Sequence, residues 1–271
     1  MKYVLTDQTI RYNGITLYRI KALKDFNDVA KDELGGFVES YDNLSQRNNC
    51  WIYRDAKVYD NAKVYDNAEV YGDAKVYDNA EVYGDAKVYG DAKVFDNAKV
   101  FDNAEVYGDA KVYGNAEVYD NAEVSDNTLV YGDAKVFDNA KVFDNAEVYG
   151  DAKVYSRAKI YGSAEVYDQA KVFDNAEVFG EAQICANTIV CSDIKIFNTN
   201  DILFINLARY ITFYRCEDDI RCTIGCQHAI TIEEFKDRIY ENGNYTEVTL
   251  PKHRKDYLLA IEFAKKYFRV D

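Results

Sequence analysis

Proline occurs once in this chain, at Pro251, and histidine twice, at His228 and His253. Disordered and linker segments draw on Pro- and Ser-rich runs, and the sequence has none. No apolar run approaches the roughly 20 residues that span a bilayer, and no charged-then-apolar segment opens the chain, so neither a membrane nor a secretion route is expected. Six cysteines, Cys50, Cys185, Cys191, Cys216, Cys222 and Cys226, lie scattered rather than in a disulfide framework, which fits a reducing cytoplasm. Positive charge is also scarce: 33 Lys and Arg stand against 47 Asp and Glu, a formal net charge of -14. An acidic surface repels phosphate backbones, so direct nucleic-acid binding is not expected.

What the sequence does have is one six-residue phrase, Ala-Lys/Glu-Val-Tyr/Phe-Asp/Gly-Asn/Asp, repeated without insertion or deletion across residues 50–197. Every sixth residue from Ala56 to Ala182 is Ala except Thr128, and two residues after each comes Val, or Ile at Ile160 and Ile184. This stretch holds 15 basic and 28 acidic residues, so the acidity belongs to the repeat. Such a period marks a stack of small units rather than a globular domain.

In an extended segment Ala and Val, two residues apart, share one side, while the Lys or Glu and the aromatic take the other. The flipped register would bury roughly two dozen unpaired charges at several kcal/mol each, so the Ala/Val side is the interior. Asp-Asn and Gly-Asp are turn formers that accept left-handed backbone angles, and they make the corners. One phrase buries a single Ala and Val, worth roughly 2 to 3 kcal/mol, against about 6 kcal/mol for fixing six backbone residues. Only a stack of coils can fold.

Val58-Tyr59-Asp60-Asn61-Ala62-Lys63 resembles the phrase of the hexapeptide-repeat left-handed parallel β-helices, with Val in the aliphatic slot and Ala in the small slot. The resemblance implies about eight triangular coils of 18 residues, roughly 40 Å of prism at a ladder spacing of about 4.8 Å. The expected fold class is therefore mainly β: an N-terminal β cap over residues 1–49, a left-handed parallel β-helix over 50–197, and a small C-terminal α+β appendage over 198–271. In the cap, Asn13-Gly14 before Ile15 to Ile20 predicts a hairpin, and Gly35-Gly36 a turn into another strand.

The departure from the family's phrase is the aromatic after Val. With 18-residue coils, Tyr71, Tyr89 and Tyr107 stack on one face and Tyr77, Tyr113 and Tyr131 on a second, with a third ladder from Tyr65 and Tyr83. Such ladders strengthen a sheet by about 0.2 to 1 kcal/mol per pair, and exposed aromatics also suit a protein partner. Lys57, Lys75, Lys93 and Lys111 fall in one column, unfavourable unless corner aspartates neutralise it. Two phrases break the rule alike: Asn127-Thr128-Leu129-Val130 and Asn187-Thr188-Ile189-Val190. Ile189 is expected under the C-terminal segment. Leu129, near Ser125 in an aromatic slot, is expected to be exposed in mid-prism. With Asp126, Asp133 and the six tyrosines of the first two ladders, Tyr71, Tyr89, Tyr107, Tyr77, Tyr113 and Tyr131, it forms the candidate partner-binding set.

Beyond the repeat, Asp201 to Arg215 reads as strand that pairs with Ile220 to Ile224 across Glu217-Asp218-Asp219. Thr231 and Glu234 form a capping box opening a helix that runs to about Glu241 and ends at Asn242-Gly243, and Pro251 stands near the start of a second, with Leu258, Ile261 and Phe268 at helical spacing. Cys216, Cys222, Cys226 and His228 invite a zinc reading, but without paired Cys-x-x-Cys spacing no metal or cofactor is expected.

Leu17 to Leu23, Gly35 to Ser40, Cys50 to Tyr53 and the C-terminal end resemble a group of phage and prophage hexapeptide-repeat proteins, some labelled putative transferases. Acyl transfer from acyl-CoA in such folds uses a histidine base, and the repeat contains no His. The twenty residues from Val94 to Tyr113 recur as Val136 to Tyr155, seven phrases on and so one face round, which suits a scaffold better than a catalytic face. The expected function is a non-catalytic acidic rod that binds a host or phage protein. One form is an inhibitor of a defence nuclease or nucleoprotein complex by DNA mimicry or steric blocking. A phage structural or assembly part and an acyltransferase are the alternatives. Lateral homodimers or trimers are allowed.

Overall fold

The structure, a computed structural model, describes residues 1–207, 209–216, 219–224, 227–240 and 250–270. The chain opens with a hairpin of β1 (Tyr3–Tyr12) and β2 (Ile15–Ala22), whose two-residue loop puts Asn13 and Gly14 at φ 47° and 85°. Next comes β3 (Leu34–Val38), antiparallel to β2 on one side and parallel on the other to the first lysine strand, with Phe37 opposite Lys57 and Val38 opposite Val58. This strand joins the cap to the repeat.

The repeat is a run of two-residue strands, β4 (Trp51–Ile52) to β28 (Lys195–Ile196), one per phrase. Each pairs in parallel with the strand three phrases on, as Lys93 with Lys111 and Val94 with Val112. The result is a three-sided parallel β-helix of eight full coils with a ninth begun. Face 1 starts from Trp51–Ile52, face 2 from Lys57–Val58 and face 3 from Lys63–Val64. In one phrase the amides of Lys93, Phe95 and Asn97 donate to the carbonyls of Ala110, Val112 and Gly114 at 2.9, 3.1 and 2.8 Å. The Ala98 amide closes the corner on the Phe95 carbonyl at 3.3 Å.

The interior is as the phrase requires: the Ala and Val columns are fully buried along the whole prism. The first corner residue is left-handed throughout, whether Asp96 at φ 57° or Gly114 at 70°. At most of the Asp corners the carboxylate accepts the corner amide one coil on, as Asp96 does from Gly114 at 3.1 Å and Asp138 from Ser156 at 3.1 Å. The second corner residues form amide chains, Asn61 to Asn79 to Asn97 to Asn115, at 3.2, 3.1 and 3.2 Å. The corners are thus hydrogen-bonded ladders in their own right.

At the first coil, Gly35 and Gly36 lie inside β3 rather than in a turn. A Cβ on Gly35 would stand 2.5 Å from the Ile52 carbonyl oxygen, and one on Gly36 would stand 2.6 Å from that of Ala56, so the requirement is close backbone approach. Trp51 and Tyr3 are wholly buried beneath the cap. Lys2, 1% exposed, donates from Nζ to the carbonyls of Cys50, Arg47 and Asn48 at 2.7, 3.3 and 3.4 Å, and burial pulls its pKa below the ordinary lysine value. Those carbonyls end the first coil, and Lys2 supplies the donors that a preceding coil would have given.

At the other end the expected single hairpin is a four-stranded antiparallel sheet: β29 (Ile202–Asn206), β30 (Tyr210–Arg215), β31 (Ile220–Ile224) and β32 (Gln227–Thr231), in that spatial order. The apolar run from Asp201 folds back on itself at Leu207 and Arg209, giving two strands instead of one. One sheet face closes the prism. There the buried Tyr214 hydroxyl donates to the Ile189 carbonyl and lies 2.9 Å from the Thr223 hydroxyl, so the C-terminal segment does reach Ile189. The other face carries α1 (Ile232–Tyr240) and α2 (Leu250–Phe268) over a core of Phe213, Cys222, Phe235, Tyr257 and Ile261. The capping box is present, with the Glu234 amide on Thr231 Oγ1 at 3.1 Å and the Thr231 amide on Glu234 Oε2 at 2.8 Å. The expected turns at Glu217-Asp218 and Asn242-Gly243, and the helix end at Glu241, lie outside the described residues.

Truncating one buried rung, Val112→Ala, is expected to lower the unfolding free energy by about 2 kcal/mol, whereas the neighbouring outward Lys111→Ala changes it by no more than about 0.5 kcal/mol. Denaturant unfolding of the two variants checks which side of the strand carries the stability.

Candidate functional site

Because every coil repeats the last, each outward aromatic meets another one coil away along most of each face, whereas the charged positions meet like charge in some columns, as Lys93 with Lys111, and opposite charge in others, as Lys99 with Glu117. Tyr71, Tyr89 and Tyr107 stack at 4.7 and 4.8 Å between centroids on face 1. Tyr77, Phe95, Tyr113 and Tyr131 stack at 4.9 Å on face 2, with planes within 6°. The rings are half-buried by one another, and several hydroxyls are anchored on a glutamate of the following coil. Tyr89 donates to Glu105 at 2.8 Å and Tyr131 to Glu147 at 3.3 Å. Burial, with Glu147 next in weight, pushes Tyr131 up to about 12, and burial with Asp78 and Asp96 does the same for Tyr77. The structural role of the ladders is thus visible bond by bond.

The nine sequence-selected residues occupy two faces that share a corner. The Tyr71 column ends face 1, Asp126 lies on the corner, the Leu129 column opens face 2, the Tyr77 column follows, and Asp133 is on the next corner. Both acids serve the prism itself. Asp126 Oδ2 receives the Ser125 hydroxyl at 3.1 Å and the Asp144 amide at 3.4 Å, and Asp133 receives the Asn115 side-chain amide at 2.9 Å.

Leu129 differs from expectation: it is half-buried, not exposed. It is paired in register with Lys111 on one side and Glu147 on the other, and these long neighbours cover its flanks. Its place in the column is informative. Reading along face 2, the outward residues are Lys57, Lys75, Lys93 and Lys111, then Leu129, then Glu147, Glu165 and Gln183. Leu129 divides a cationic half from an anionic half. A shallow groove of about 520 Å³ runs beside it, lined by Lys75, Lys93, Lys111, Asp91, Asp109 and Leu129, together with Asn127. No ion pair among the described residues involves Lys75, Lys93 or Lys111, so the corner aspartates do not neutralise the column by contact.

The same phrase is irregular at two other places. Ser125 replaces an aromatic, so the face 1 column breaks between Tyr107 and Phe143. Glu123, which the Tyr107 hydroxyl would reach by the pattern of its neighbours, is held instead by Lys141 at 2.8 Å. Thr128 is fully buried in an Ala position, and its hydroxyl has no partner. Sequence reading caught the composition of this phrase but not the charge divide, which needed only the outward residues written in steps of eighteen.

Among the described residues, no group of three or more His, Cys, Asp or Glu is placed to hold a metal ion. Cys222 is buried in the apolar core of the end unit, and its thiol is pushed up to about 12 by that burial. His228 lies edge-on to Phe173, extending the face 3 aromatic column, and Cys226 lies outside the described residues.

The tyrosine shifts fix an alkaline limit. An unfolded tyrosine ionises near 10, whereas Tyr77 and Tyr131 hold their protons to about 12 in the fold. Above 10 the unfolded chain binds fewer protons than the native one, so stability falls as pH rises. Melting temperature is expected to begin falling above about 8.5, where unfolded cysteines ionise while Cys222 keeps its proton, and to drop further between 10 and 12, that last fall being less steep in Tyr77→Phe and Tyr131→Phe. A pH series of thermal melts tests the sign. Neither a protein-family model nor a curated protein matches the chain.

Proposed function

We propose that this chain is a non-catalytic, protein-binding rod whose docking surface is face 2 with the corner it shares with face 1. One observation carries the reading: in mid-prism, away from both capped ends, the phrase from Ser125 to Val130 substitutes both of its outward residues while keeping the backbone register, a change that recurs at Cys185 to Val190 beside the C-terminal sheet. The scaffold does not need that change. Leu129 gives an apolar contact at the junction of a lysine column and a glutamate column, and aromatic rings run alongside. Apolar and aromatic groups ringed by charge are the usual composition of a protein-binding hot spot. The complementary partner surface is an apolar protrusion with acidic groups toward the lysine half and basic groups toward the glutamate half.

The resemblance of both ends to phage and prophage proteins favours a host or phage protein as that partner. A second version, occupation of a nucleic-acid channel by mimicry, draws on the -14 charge and the exposed aspartates at the corners. The two differ in salt response, because mimicry by many dispersed acids weakens steeply as salt rises while an apolar anchor does not.

Immobilised wild-type protein and a Leu129→Lys variant, which simply continues the lysine column, provide the test in a host-cell extract. The expected result is a discrete captured protein that the variant releases or binds at least tenfold more weakly, a loss of about 1.4 kcal/mol. Equal capture by both, with elution by moderate salt, would transfer the reading to the acidic corners. Turnover of acetyl-CoA by purified protein would replace it with acyl transfer.

A further inference from the structure

Among the described residues, the C-terminal unit leaves one apolar border unused. Its sheet spends one face on closing the prism and the other on α1 and α2, yet Leu259, Phe263, Tyr267 and Val270 remain 52, 54, 41 and 41% exposed. Leu259, Phe263 and Tyr267 recur every four residues and form one stripe along α2, and Val270 lies just beyond the helix, after Arg269 leaves it at φ 57°. Between that stripe and β29 lies a groove of about 430 Å³, lined chiefly by Leu203, Ile205, Leu207, Leu259, Ala260 and Phe263. β29 is also the outer strand of its sheet. Its far edge is a row of backbone donors and acceptors bordering the groove.

Proteins that remain single guard such an edge with charge, proline or a bulge. The opposite edge strand is guarded: pairing of β32 is interrupted between Cys222 and Ile224, and Ala229 takes φ 48°. By contrast β29, Ile-Leu-Phe-Ile-Asn, has neither charge nor proline, and its register with β30 runs unbroken from Ile202 opposite Tyr214 to Asn206 opposite Tyr210.

We infer that this border is a homodimer interface, in which β29 pairs antiparallel with β29 of a second copy and the two α2 stripes meet above the joined strands. Charge selects the occupant. Residues 50–197 hold 15 basic against 28 acidic residues, so two prisms repel each other side by side. Residues 198–271 hold 11 against 12, so the end unit is where two copies can approach without that repulsion. A strand edge is complementary to itself about a two-fold axis, and one eight-stranded sheet results. The dimer leaves face 2 of both prisms free and makes the rod bivalent, which raises its hold on a partner that presents two sites.

Sedimentation equilibrium of the full chain tests this. The expected mass is twice 31.1 kDa, falling to 31.1 kDa in Phe263→Glu and Leu259→Glu, while Lys153→Glu on face 3 leaves the dimer intact. Both α2 positions are exposed, so an unchanged far-UV spectrum should accompany the loss, and amide exchange in β29 should quicken in the same variants. A wild-type chain that stays monomeric at every concentration overturns the inference and assigns the groove to a different protein. A dimer that survives Phe263→Glu overturns it too.

Discussion

Everything in this molecule depends on the main-chain ladder between residues 18 apart. The ladder fixes the distance between like positions at one strand spacing, and each amide that points along the axis is satisfied only by the next coil. Since Lys93, Phe95 and Asn97 all donate to the following coil, no coil is stable without its neighbour. Stacking at that spacing also brings like onto like. For aromatic rings this is favourable, because 4.7 to 5.2 Å between nearly parallel planes is an offset stack. For asparagine it is favourable as well, since an amide both donates and accepts. For lysine it is not, and the Lys57 to Lys111 column is tolerated because the stems can lie along the face while the ammonium groups stay in water.

A ladder of this kind has two ends, and they are handled by different means. The first coil is closed from below by β3, a strand that is antiparallel to the hairpin and parallel to the prism, and by Lys2, whose ammonium serves three carbonyls that have no coil beneath them. The last coil is closed by a whole sheet with Tyr214 plugged against Ile189. Leu44 illustrates the transition at the start: it bridges to Val64 in parallel, so residues before Cys50 already trace part of a coil. The boundary at residue 50 marks where the phrase begins, and the geometry begins a few residues earlier.

The legible part of this fold is the part with translational symmetry. Interior, corners, face assignment and aromatic columns all follow from a period of six and the requirement that Val and Ala face inward. The hairpin at Asn13-Gly14 and the capping box at Thr231 were equally legible, because each is a local rule with its own residues. The ends were not, and Gly35 shows why. Two adjacent glycines read as a turn, but here they mark the backbone of Ile52 and Ala56 pressing on β3, a contact that no local period encodes. The run from Asp201 to Arg215 misled in the opposite sense: continuous apolarity gives no sign of the reversal at Leu207. Leu129 was found by composition, but its half-buried state depends on which long side chains flank it one coil away.

A surface that repeats every coil binds equally well at every coil, so it can hold a partner firmly without holding it in one place. Register must come from a break in the repetition. On face 2 that break is the passage from lysine through Leu129 to glutamate, and under the proposed reading a partner displaced by one coil would lose the apolar contact and set a lysine or glutamate against its own apolar group. Burying such a charge without a counter-ion opposes the displaced pose by more than the contact itself contributes to the correct one. The twenty-residue duplication fits the same logic. Copying seven phrases moves the pattern one face round, so Val94 to Tyr113 and Val136 to Tyr155 cannot place the same residues on the same surface. The phrase they flank, Ser125 to Val130, lies outside the duplicated segments, and its counterpart at Cys185 to Val190 lies against the C-terminal sheet, so in mid-prism Ser125 to Val130 is the element that distinguishes one coil from the next.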